Sequence, residues 1–354
     1  TAHASATIDL LSTEQLQSHC ANLKEAGKPN ADEQVVRILC RDVEALTRLL
    51  TWVDGAGLPA FKESRGNMDE AYQIWKRELV LVSQNLAQTS KLLREVPRRK
   101  TNVRIRPGDW ALDLNGNGDI STWERHLFAT PKAQVESGPS MPSDDPDFYQ
   151  STTINPIIRI DAADLDWSLA YHQFAQGLAE FILAYDLRGE RLVLVDASRA
   201  KRALLLLQAG IRSSNALRVQ VLAETDDDEE WLPNPRQQQQ SFPLAMDEQT
   251  FATWKELLDG VALLLAGRTL AGVPENSPDA SRVRGLCEAG RGIDVQRFFN
   301  DPPTELSLNF SGLQRYCTNP TTRKPLSLLW KLMDRSRRSG TNEWQVLRHF
   351  YWVN

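Results

Sequence analysis

Long apolar runs are missing from this chain. Its most apolar stretches, VALLLAG at 261–267 and RALLLLQAG at 202–210, fall well short of the ~20 residues that cross a bilayer. They read as buried helix segments, and no transmembrane segment is expected. A positive field is missing too: 41 Lys and Arg stand against 46 Asp and Glu, for a formal net charge of −5. Nucleic acid is therefore excluded as an expected partner. The local signatures of common enzymes, H-E-x-x-H, G-x-S-x-G, G-x-x-x-x-G-K and G-x-G-x-x-G, do not occur. Only five histidines are present, and His3, His19, His126, His172 and His349 read as surface or satisfied helix residues. The opening TAHASATIDLL lacks the basic start and apolar core of a signal peptide. Its small residues are what signal cleavage favours, with a cloning remnant as the alternative.

What is present, in 354 residues that are 41% hydrophobic, is enough apolar material for one large core or for two to three domains. Helical periodicity dominates. Ser12 to Ala26 opens with the capping pattern Ser12/Gln15 and stops at Gly27 and Pro29; Asn30/Glu33 then caps a second helix that runs to about Val53. The apolar residues Val36, Leu39, Val43, Leu46, Leu50 and Val53 alternate spacings of three and four, the seam of a packed helix. A third long helix is expected from Asp69 to Glu95, and further ones from Asp161, from Ala197 to Ala209, from Asp247 to Gly267 and over 326–338. RLVLV at 191–195 reads as a single strand, too little for a sheet. The stretches ESGPSMPSDDPD (136–147), ETDDDEEW (224–231) and LPNPRQQQQSFP (232–243) read as linker and loop, and PRRKTNVRIRPG (97–108) as a solvated basic connector. The expected fold is mainly α: helical bundles joined by irregular, Pro/Gly-rich connectors with one calcium loop. The expected division is an N-terminal helical bundle over 1–100, the calcium loop and linker over 101–150, and a larger helical region over 151–354.

The four cysteines, Cys20, Cys40, Cys287 and Cys317, include no C-x-x-C pair and so lack metal-ligand spacing. Cys20 and Cys40 lie on consecutive helices about 8 and 11 residues from the turn, an axial mismatch of ~4 to 5 Å. A bridge there is geometrically permitted and would stabilise by roughly 3 kcal/mol. Two separate core cysteines are the alternative. Cys287 and Cys317 would form the remaining pair, and two bridges together would place the protein outside a reducing cytosol.

The stretch DLNGNGDISTWE at 113–124 carries the clearest chemistry. An EF-hand calcium loop needs oxygen ligands at positions 1, 3, 5, 7, 9 and 12, glycine at 6, and a glutamate at 12. Asp113, Asn115, Asn117, Asp119, Ser121 and Glu124 occupy those positions around Gly118, and Ile120 fills the apolar position 8. Asp119 would bind through its main-chain carbonyl and Ser121 through water or its hydroxyl. Asn-Gly-Asn-Gly is also ordinary turn chemistry, but a turn does not require acids at both ends. With Asp113 and Glu124 as the certain charged ligands, affinity should fall toward ~10⁻⁴ to 10⁻³ M. Pro107 and Gly108 prevent a full entering helix, so only the exit helix is expected.

This loop-then-helix form resembles the calcium loops of bacterial exported proteins, dockerins among them, although a dockerin carries two loops and this chain has one. The resemblance implies a bound calcium ion, not a dockerin's partner. Residues 161–186, WLPNPRQ (231–237), 246–270 and FFNDPP (298–303) resemble a group of bacterial exported proteins of unassigned function, which implies an export route and no activity. The expectation is thus an exported, periplasmic or secreted calcium-binding protein with a structural site and a protein or envelope partner. The competing reading is a hydrolase-like enzyme around Asp161, Asp164, Asp166 and His172, residues that helix capping also explains.

Overall fold

The computed structural model describes residues 7–25, 29–57, 68–99, 101–131, 153–189, 191–227, 229–237, 246–272, 287, 291–307 and 311–318. The expected linker at 136–147 and helix at 326–338 lie outside these residues. Within them the chain is mainly helical. Its helices are α1 (Thr13–Glu25), α2 (Ala31–Trp52), α3 (Met68–Glu95), α4 (Thr122–His126), α5 (Ala162–Leu183), α6 (Ala197–Ala223), α7 (Glu248–Leu265) and α8 (Val295–Asn300). Short strands intervene: β1 (Ile8–Leu10), β2 (Val103–Ile105), β3 (Thr130–Pro131), β4 (Thr153–Ile154), β5 (Ile158–Arg159), β6 (Tyr185–Arg188), β7 (Arg191–Leu194), β8 (Gly292–Ile293), β9 (Glu305–Ser307) and β10 (Cys317–Thr318). No described helix is long and apolar enough to cross a membrane.

The chain folds into two compact units, each assembled from three separate stretches of sequence. The first comprises Thr1–Leu58, Gln88–Leu169 and Ala216–Phe251. Here α2 starts at the expected cap: Asn30 Oδ1 accepts from Glu33 N at 3.0 Å, and Glu33 Oε2 accepts from Asn30 N at 2.8 Å. Cys20 and Cys40 are bonded, with Cα atoms 5.5 Å apart, joining α1 to α2. β2 is the centre of a three-stranded sheet, parallel to β1 and antiparallel to β5. Leu10, Val103, Ile105 and Ile158 are buried there. Such aliphatic side chains each contribute roughly 1.5–3 kcal/mol. The basic segment 97–108 is accordingly no solvated connector. Arg98 pairs with the buried Asp166 at 2.8 Å, and Arg104 pairs with Asp9 at 2.9 Å and with Glu229 at 3.3 Å. Alternating arginines on a short strand gave little apolar signal, because their partners lie far off in sequence.

The second unit comprises Pro59–Ala87, Ala170–Asn215 and Ala252–Asn354. The strand expected at 191–195 does join a sheet: β7 lies between β6 and β9, antiparallel to both. Its partners YDLR and ELS are too short and polar to announce themselves. Tyr185, Ala184, Ala200 and Leu306 form a buried cluster with Phe181 and Phe298 packed against it. α6 runs to Ala223, past the end expected at Ala209, because Gly210 serves close packing and not a stop. A Cβ at Gly210 would lie 2.4 Å from the Phe174 ring. Glu180, nearly fully buried, accepts from Arg199 and Arg202 at 3.0 Å each and from Ser83 Oγ at 2.7 Å. Cys287 and Cys317 are bonded, with Cα atoms 5.7 Å apart.

Candidate metal centre

The 113–124 loop belongs to the first unit and folds around two carboxylates. Asp113 gathers the turn: its Oδ1 accepts from Gly116 N at 2.7 Å and Asn117 N at 3.2 Å, and its Oδ2 from Gly118 N at 2.9 Å. Two further side-chain oxygens are folded back on the loop, Asn115 Oδ1 accepting from Asn117 N at 3.2 Å and Asn117 Oδ1 from Asp119 N at 2.8 Å. Gly116 and Gly118 stand at φ +72° and +91°, a backbone region that costs glycine nothing and other residues strain. The entering side is β2 followed by a single 3₁₀ turn at Pro107–Asp109, so no entering helix forms. The exit helix is α4, capped by Ser121 with Glu124 at its third position.

Glu124 is fully buried and satisfied by four protein donors. Its Oε1 accepts from Leu114 N at 2.8 Å and Asn115 N at 3.1 Å; its Oε2 accepts from Ser121 N at 2.9 Å and Ser121 Oγ at 2.6 Å. Burial alone would raise its pKa, but the Ser121 hydroxyl and the amides of Ser121, Asn115 and Leu114 outweigh it and hold the carboxyl below its usual range. The residue that closes the pattern therefore staples the start of the loop to the start of α4.

The donor set is all oxygen, two carboxylates with amide, carbonyl and hydroxyl oxygens, which suits a hard cation such as calcium. A carboxylate offers about four lone-pair positions. For Glu124 to coordinate through both oxygens, some of its present hydrogen bonds must be given up. The carboxylates of Asp113, Asp119 and Glu124 do not form a close three-acid group among the described residues, and the pattern does not ask for one, since position 7 uses a main-chain oxygen.

Such a group does form elsewhere in this unit. Asp161, Glu224 and Glu230 each place one carboxylate oxygen within 4.8 Å of the others. Asp161 and Asp164 cap α5 reciprocally: Asp161 N donates to Asp164 Oδ2 at 3.1 Å and Asp164 N to Asp161 Oδ1 at 3.0 Å. Burial, then the charge of Asp161, push the Asp164 carboxyl well above its ordinary value. Glu224 is pushed up to about 10, by burial first and then by its hydrogen bond with Asp161 and the nearby charges of Asp161, Glu230 and Asp164. At neutral pH Glu224 keeps its proton.

Of the four residues in the enzyme reading, then, the structure brings together Asp161 and Asp164. Asp166 is taken up by Arg98 and by Gln220 Nε2 at 2.6 Å, and His172 falls in the second unit. Glu224 and Glu230 gave no such signal in the sequence, where ETDDDEEW reads as polar loop. The following Trp231, Leu232, Pro233 and Asn234 are in fact buried. Asn234 Nδ2 ties this segment to the end of α6, donating to Val221 O at 2.9 Å and Glu224 O at 3.0 Å. An apolar Trp-Leu-Pro directly after the acids was the available signal.

Fold and site together define a mainly helical, disulfide-bonded chain with an oxygen-lined loop and a buried acid cluster. No family model, curated protein or solved structure matches it.

Proposed function

We propose that this is an exported calcium-binding protein in which the 113–124 loop holds a structural Ca²⁺, serving as a binding or scaffolding component of the cell envelope. Asp113, Asn115, Asn117, the main-chain carbonyl of Asp119, Ser121 and Glu124 would hold the ion. The observation that carries the reading is the Asp113 carboxylate at the hub of the loop, accepting from the amides of Gly116, Asn117 and Gly118, with Gly118 at φ +91°. This is the turn that position 6 of a calcium loop must make. When bound, the ion supplies cross-linking charge between the loop and α4. The chain's own part is to preorganise the oxygens and to release Glu124 from part of its amide set, a cost that agrees with modest affinity.

The two disulfides support an oxidising compartment, periplasmic or extracellular. A lone loop without a paired hand supports a structural role over a sensing one. Calcium titration of the full chain beside Asp113→Ala tests the reading, and absence of calcium-dependent heat in the parent chain overturns it. An enzyme reading is favoured by one observation, the raised pKa values of Asp164 and Glu224. It would run through Asp161, Asp164, Glu224 and Glu230.

A further inference from the structure

The loop is not self-contained. The end of α2 lies against it: Thr51 Oγ1 donates to Leu114 O at 3.4 Å, and a Cβ at Gly116 would sit 3.1 Å from that same Oγ1. Beyond Thr51 the helix widens into a π-helical turn, Val53–Gly57, that carries Asp54. Asn115 Nδ2 donates to Asp54 Oδ2 at 3.0 Å while Asn115 Oδ1 accepts from Asn117 N at 3.2 Å. These two partners admit a single orientation of the Asn115 amide. A carboxylate can only accept and a backbone N–H can only donate, so the amide nitrogen faces Asp54 and the oxygen faces the loop.

We propose that Asp54, some sixty residues from the loop in sequence, is a positioning residue of the cation site, fixing Asn115 so that its oxygen is presented as a ligand. The inference rests on the calcium reading of the loop. A neutral amide is a weak ligand whose oxygen and nitrogen ends differ little in shape; without Asp54 the flipped state is opposed by Asn117 N alone, at 3.2 Å. Groups that orient metal ligands from behind typically matter on the order of ten- to a hundredfold in affinity. The twelve-residue pattern contains no trace of this residue.

The test is calcium titration by calorimetry on the full chain, comparing the parent with Asp54→Ala, Asp54→Asn, Asn115→Ala and the Asp54→Ala/Asn115→Ala pair, with melts of each in chelator. The expected result is weakening on the order of tenfold for Asp54→Ala and a smaller loss for Asp54→Asn, whose amide oxygen can still accept from Asn115. In the Asn115→Ala background, Asp54→Ala should cost little more. Melting in chelator should be nearly unchanged by Asp54→Ala. Parent-like affinity in Asp54→Ala overturns the proposal. So does an equal loss in both backgrounds, which would mean that Asp54 acts without Asn115. If the parent itself gives no calcium heat, the calcium reading fails first and takes this proposal with it.

Discussion

Replacing Glu224 by Gln should stabilise the protein, and increasingly so as pH rises. Glu224 directly follows α6 and lies against Asp161 and Glu230, its carboxyl pushed up to about 10 from an ordinary 4.5. The unfolded chain releases this proton near the ordinary value, whereas the folded chain keeps it until about 10. Between those values the native state binds more protons than the unfolded state, so stability falls with rising pH; below the ordinary value the group carries no penalty. At pH 7, holding a proton on an ordinary glutamate costs roughly 3 kcal/mol, which solvent at a partly exposed carboxyl reduces to about 2 kcal/mol. Gln keeps the shape and a donor toward Asp161 and needs no proton. Urea denaturation in chelator should find parent and variant within about 0.5 kcal/mol at pH 4.5 and the variant ahead by about 2 kcal/mol at pH 7. A gap that stays constant across pH, or a variant that loses stability equally throughout, refutes the protonated-cluster account.

Glu124→Gln should be costly even without calcium. Whichever way the amide is turned, its NH₂ faces two of the four donors that now point at the carboxylate, a loss of about 3 kcal/mol read by denaturation in chelator. A change under about 1 kcal/mol would contradict the staple role. Removing the Cys20–Cys40 bridge as the double serine variant should cost about 3 kcal/mol, from the 20-residue separation it closes. An unchanged denaturation midpoint on reduction and substitution would show that the bridge contributes nothing.

The residues that sequence could place were those whose partners are near neighbours. The α2 cap is complete within Asn30–Glu33, and the α5 cap within Asp161–Asp164. The glycine positions of the calcium pattern lie inside twelve residues. Cys20 and Cys40 could be argued as far as a permitted bridge, since helix rise fixes their heights but not their facing. Long-range pairs were not legible. β2 is only three residues, Val103–Ile105 with Arg104 at its centre, whose strand partners are 8–10 and 158–159, and Glu224 meets Asp161 only once the chain has folded. Asp54 gave no signal because its effect is on one amide of a distant loop.

Calcium titration of the 354-residue chain by calorimetry, with melts in chelator and in calcium, bears most directly on the central claim. The account predicts heat that fits one site at ~10⁻⁴ to 10⁻³ M. At about 10 mM calcium such a site stabilises by roughly 1.4 to 2.7 kcal/mol, and Asp113→Ala should abolish both the heat and the shift in melting. No heat from the parent chain, with identical melts in calcium and chelator, would contradict it.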